Sequence, residues 1–204
     1  MGLLDFFRRR SPAIQEPAAL ADFIDENAAF LVQKGIYEYS RARAGHYAKV
    51  LFGESGFQQA VELSRWSAYP LGLAMVTEVV EGVLRPHTGD RRAALDALRA
   101  LTLSAFDRYP VPPALGAEKW SQARSELARQ LDLIGVHAVK QAKDIPVPFA
   151  ESYFALLPIH EKLRQAEFPA ITGYLRVTLC NIHDEFSQRA DVSALPRALG
   201  PQPA

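Results

Sequence analysis

The spacing of apolar residues most constrains what this chain can fold into. Between residues 18 and 44, Leu20, Phe23, Ile24, Ala28, Leu31, Val32, Gly35, Tyr39 and Ala42 recur at three- and four-residue steps, the interval that gathers side chains on one face of an α-helix. The period returns in Trp120, Ala123, Leu127, Leu131, Ile134 and Ala138, and again in Ile171, Leu175, Leu179, Ile182 and Phe186. The chain has no convincing two-residue alternation and no repeat at a fixed spacing. Composition points the same way. Ala (31) and Leu (24) far outnumber Val, Ile and Thr together (26), and unbranched side chains lose less rotamer freedom in a helix than β-branched ones. The sequence predicts an all-α fold, a single-domain bundle of six or seven helices.

Prolines, glycines and capping residues divide the pattern. A short amphipathic segment covers residues 1–10 and a Ser-Pro-Ala-Ile-Gln-Glu-Pro linker covers 11–17. The helical domain is expected over 18–190, followed by a flexible Pro- and Ala-rich tail at 191–204. Within the domain, helices are expected at 18–44 with Gly45 as C-cap, 54–66, from Pro70 to before Pro86, 91–107 with Asp90 as N-cap, 118–143, from Pro148 with a split at Pro158, and 169–189. Tyr109-Pro-Val-Pro-Pro113 is the strongest breaker.

Lys plus Arg and Asp plus Glu are equal at 23 each. A neutral chain argues against a nucleic-acid binder, whose affinity comes largely from neutralising phosphates. The single cysteine, Cys180, excludes a disulfide framework and fits a reducing cytoplasm. No run of 18 apolar residues is present, and Arg8 to Arg10 follow too few apolar residues for a secretory signal. Cytoplasmic residence is the expectation.

Leu3, Leu4, Phe6 and Phe7 share one side of a helical wheel, with Arg8, Arg9 and Arg10 clustered beside them. That pattern suits an anionic lipid surface: apolar side chains enter the acyl boundary and guanidinium groups meet head groups. The stretch Met-Gly-Leu-Leu-Asp-Phe-Phe-Arg-Arg-Arg resembles the membrane-targeting N-terminus of MinE, the bacterial division-site topology factor. The resemblance covers about ten residues and implies lipid contact at the inner membrane face. The rest of the chain lacks that family's pattern, so its function is not carried over.

Catalytic and metal motifs come out poorly. The histidines at 46, 87, 137, 160 and 183 form no H-E-x-x-H and no E-x-x-H. Arg176, Cys180, His183 and Ser187 form a stripe that reads as the edge of a core face. Glu78, Glu81 and Arg85 read as an ordinary solvated face. Ser64-Arg65-Trp66-Ser67-Ala68-Tyr69-Pro70 reads as a helix-to-helix corner packed by its rings, or else as an arginine placed to bind an anion or a partner. The expected function is a non-catalytic cytoplasmic adaptor or regulatory module. It would bind a protein partner, with attachment to the inner membrane surface through residues 2–10. No catalytic residue, metal or cofactor is expected. One alternative is a helical enzyme or small-molecule or metal-binding protein with a pocket formed by Glu78, His160, Arg176 and His183 on the third, sixth and seventh predicted helices. A second is a homo-oligomeric structural protein, in its simplest form a homo-dimer.

Overall fold

A computed structural model describes residues 12–158 and 165–200. Among these residues the fold is all-α, with one isolated parallel bridge between Ile14 and Ala190 and no strand. Five long helices carry the core: α1 (Pro17–Ala44), α3 (Ser55–Leu84), α4 (Arg91–Asp107), α5 (Gly116–Leu133) and α7 (Phe168–Arg189). Three short ones join or cap them: α2 (Ala48–Leu51), α6 (Ala150–Ala155) and α8 (Leu195–Leu199). No described helix is long and apolar enough to cross a membrane.

Helix α3 is the axis of the bundle, with α1, α4, α5 and α7 all packed against it. From Ala68 to Glu81 every residue is buried except the half-buried Leu71, so this stretch is enclosed on almost every side. The α1–α3 hairpin is held close by small residues. A Cβ added at Gly72 would lie 2.9 Å from Val32 Cγ2 and 3.0 Å from the Ala28 carbonyl oxygen, which leaves no room for a side chain. Gly35 plays the same part for α6 and α7. Tyr153 donates from its hydroxyl to the Val32 carbonyl (3.3 Å), and Tyr174 donates to that of Leu31 (2.9 Å). The Tyr153 hydroxyl and the Tyr174 ring lie where a Cβ on Gly35 would stand. Thr77 of α3 and Thr102 of α4 meet in the interior at 2.9 Å between hydroxyl oxygens, and each also bonds a carbonyl one turn earlier in its own helix.

Helices α1, α4 and α7 fall within one residue of the ranges expected from periodicity. Asp90 caps α4 by accepting from the Ala93 N–H at 3.0 Å. Gly45 ends α1 at φ 51°, a backbone that side chains rarely adopt. Other boundaries differ. The helices expected at 54–66 and from Pro70 are one continuous helix through a buried Pro70, so the Ser64–Pro70 stretch is mid-helix and not a corner. A proline removes one hydrogen bond, and burial on almost every side of this stretch offsets that loss. The helix expected to reach residue 143 stops at Leu133, because Gly135 turns at φ 85°. The linker is docked: Ile14 is buried, its N–H bonds Arg189 O (2.8 Å), and Asp191 N–H bonds Ile14 O (2.9 Å). The described part of the tail is docked as well. Asp191 accepts from the Ser193 hydroxyl and from the N–H groups of Ser193 and Ala194, which turns the chain into α8, where Leu195 and Leu199 are buried.

Substituting Ala for Gly35 forces Tyr153 and Tyr174 off the α1 carbonyls. The expected loss is about 1–3 kcal/mol, the usual cost of overpacking an interior, read as a lower urea midpoint with an unchanged m-value.

Candidate functional site

Of the pocket candidates singled out in the sequence, the described Glu78, Arg176 and His183 have separate surroundings. Leu3, Leu4, Phe6, Phe7, Arg8, Arg9, Arg10 and His160 lie outside the described residues. Arg176 is exposed on α7, and His183, half-buried on the same helix, has its Nδ1 3.3 Å from Asp184. Cys180 is half-buried between them. Glu78 faces another element altogether. Among the described residues, no group of three or more His, Cys, Asp or Glu side chains is placed to hold a metal ion.

Glu78 and Glu81 correct the helical-wheel reading, which put them in solvent. Both are buried, at 7% and 4% exposed. They are covered by the irregular segment 134–141, which lies along the C-terminal half of α3 as a strap. Arg85 grips Glu81 with two bonds of 2.7 Å and donates a third of 2.8 Å to the His137 carbonyl. Arg91 stands 3.9 Å from Glu81 and donates to the Gly135 carbonyl. Lys140 Nζ lies 2.9 Å from Glu78 Oε1, an ion pair off the hydrogen-bonding line, and His137 Nε2 lies 3.7 Å from the same oxygen. A carboxylate buried this deeply without cations would cost several kcal/mol. The cluster therefore acts as a clasp that fixes the strap to α3.

A second polar centre lies toward the middle of α1. Asp25 is buried and accepts from the Tyr69 hydroxyl at 2.6 Å and from the Tyr109 hydroxyl at 3.0 and 3.1 Å to its two oxygens. Arg108 stands 3.6 Å away and bonds Asp22 at 2.6 Å. Burial, and then the hydrogen bond to Asp25, push the Tyr69 and Tyr109 phenols above their ordinary range. Trp66 packs edge-on against Tyr69, Tyr109 and Trp120, with ring centres 5.3–6.0 Å apart. The Arg65 guanidinium sits 4.9 Å over the Trp66 ring and pairs with Glu62.

Trp66, Tyr69 and Tyr109 floor a slot of about 240 Å³ whose α1 wall is Ala29, Val32 and Gln33. Ala29 and Gln33 also border an open depression with Phe30, Lys34 and Tyr37. Phe30 and Tyr37 are about half exposed, and Lys34 Nζ covers the Phe30 ring at 5.0 Å. Tyr37 continues into an aromatic ladder with Phe52 and Phe57, at 4.7 and 5.0 Å between ring centres. The slot, the two exposed rings and the ladder form one surface along the α1–α3 hairpin. Of this surface the sequence pointed only to Arg65, Trp66 and Tyr69. Asp25 and Tyr109 stand 84 positions apart and carry no local signal of their meeting.

Comparison with known protein families, curated proteins and solved structures finds no match to this chain.

Two outcomes are expected. Glu81→Ala removes the acceptor of Arg85 and costs about 3 kcal/mol, as breaking a buried pair does, with faster amide exchange across 135–140. The raised phenols set the alkaline limit. Their contribution is fully present below the ordinary tyrosine pKa of about 10 and is lost as pH rises beyond it. Denaturation midpoints should hold to about pH 10 and then fall. A Tyr69→Phe/Tyr109→Phe variant should fall less steeply, while Tyr153 and Tyr174, also raised by burial, sustain the remaining slope.

Proposed function

We propose that this protein is a non-catalytic helical adaptor or regulatory module that takes an amphipathic helix of a protein partner along its α1–α3 hairpin. The observation that carries this reading is the slot floored by Trp66, Tyr69 and Tyr109 beside the exposed rings of Phe30 and Tyr37. Its 240 Å³ is below the roughly 300–1,000 Å³ of ordinary small-molecule sites and suits one bulky apolar side chain. Such a side chain entering an aromatic pocket, with further apolar contacts one and two helical turns away, is how helix-in-groove recognition concentrates its energy. Phe30 and Tyr37 are seven positions apart on α1 and supply those contacts. The floor is pre-organised, because the Asp25 carboxylate fixes two of its three rings. The proposal includes attachment to an anionic inner membrane surface through Leu3, Leu4, Phe6, Phe7 and Arg8 to Arg10, with the partner drawn from the cytoplasm.

The test is site-specific photo-crosslinking in the native cell. A photoreactive residue at Gln33 should give a discrete protein adduct, and one at the exposed Ser125 of α5 should not. Adding Phe30→Ser with Tyr37→Ser should abolish the Gln33 adduct and leave helicity unchanged. Equal adducts from both positions, or an adduct indifferent to the double substitution, sinks the reading.

A further inference from the structure

Past its two exposed rings, the hairpin surface ends at a corner whose cations are not used inside the fold. Segment 39–53 carries Arg41, Arg43, His46 and Lys49 and no carboxylate. Arg43 pairs with Glu167 at 2.8 Å. Arg41, His46 and Lys49 are exposed and have no carboxylate partner among the described residues. The cations beside the slot differ, since Arg65 pairs with Glu62 and Arg108 with Asp22.

The turn after α1 brings these three side chains together. α1 ends at Gly45, and the chain folds back through Gly45–Tyr47 into α2. Phe52 packs on Tyr37 and Phe57, and its carbonyl accepts from Gln58 Nε2 at 2.7 Å. α2 is thereby braced beside the last turns of α1. Arg41, His46 and Lys49 line one open depression of about 670 Å³, with Tyr37 and Phe52 as its aromatic side and Glu38 as its carboxylate. Tyr37 also borders the depression that holds Phe30 and Lys34, so the corner continues the surface that runs from the slot. Arg41 stands eight positions past Gln33 of the slot wall, about 12 Å along α1. The opposite end of the surface carries the exposed Glu26, about 22 Å before Arg41 on the same helix.

We propose that the partner helix is acidic at the end that lies over the α1–α2 corner, with two or three carboxylates about two turns from its apolar anchor. The inference rests on the reading of the hairpin as a helix-binding surface. An apolar anchor alone could enter the slot with its helix running either way. Cations at one end and Glu26 at the other admit one direction and reject its reverse, which is the work rim charges do at interfaces. A free anion would gain little from exposed cations in water. A carboxylate carried on a docked helix is held beside them at high effective concentration.

The test is selection, on the full chain, from a phage-displayed library of single amphipathic helices whose apolar and polar positions vary independently. The wild-type chain should enrich one bulky apolar residue with Asp or Glu about two turns to one side of it. Arg41→Glu/Lys49→Glu should enrich Lys or Arg at those positions instead, and Phe30→Ser/Tyr37→Ser should enrich nothing. All four side chains are exposed, and unchanged helicity confirms that both variants fold. A selected peptide should bind the wild-type chain about tenfold more tightly than its Gln-substituted counterpart, the usual sum of two or three exposed ion pairs, and high salt should shrink the difference. An apolar anchor enriched without acidic positions, or acidic positions that survive the charge reversal, overturns the inference and leaves the slot reading standing. No enrichment at all removes both. The inference also falls if anionic vesicles sediment the wild-type chain but not Arg41→Glu/Lys49→Glu, which gives the corner to a lipid surface. It falls again if light scattering shows a wild-type dimer that the same reversal dissociates.

Discussion

The rest of the structure depends on how closely α1 and α3 approach each other. Helix axes usually pass about 8–10 Å apart, with side chains filling the space between. Here Gly72 sets its bare Cα against the Ala28 backbone and Val32, so the two longest helices meet nearly backbone to backbone. Gly35 extends the rule outward, letting Tyr153 and Tyr174 reach carbonyls of α1 that a larger residue would shield. Small residues on one hairpin thereby decide where α6 and α7 dock.

The three carboxylates buried among the described residues follow the same logic. Asp25 lies on α1, and Glu78 and Glu81 on α3, and each finds partners outside its own helix. Buried ion pairs add little net stability compared with a well-packed apolar core, yet a buried charge left alone costs several kcal/mol. The penalty for docking Tyr109 or the strap in the wrong place is therefore large. The carboxylates act as registration marks: they reject alternatives more than they deepen the native state.

What the sequence made legible follows from whether the cause was local. Periodicity placed α1, α4 and α7, and Asp90 marked its cap, because those signals lie within a few residues of what they determine. Pro70 misled for the same reason: a helix-breaking residue outweighs its surroundings in a local reading, while in the fold it is surrounded by core. Ile134 and Ala138 continue the stripe of α5, so the helix seemed longer than it is. Its end is set by Gly135 and by guanidinium groups 44 and 52 positions away. The polar face assigned to Glu78 and Glu81 failed because a wheel counts neighbours on its own helix only. Of the slot, Trp66 and Arg65 were visible as an aromatic–cation pair, but its floor exists only once α1 and the Phe106–Tyr109 turn converge on α3.

The Ile14–Ala190 bridge has a mechanical meaning. Its two backbone bonds, with Arg189 donating to the Pro12 carbonyl at 3.3 Å, join the start of α1 to the end of α7. A tug on the leading residues is shared at once with α7 and does not peel α1 from its hairpin. Force entering at that point would be met by these bonds before it reached the first turn of α1, well short of the aromatic slot.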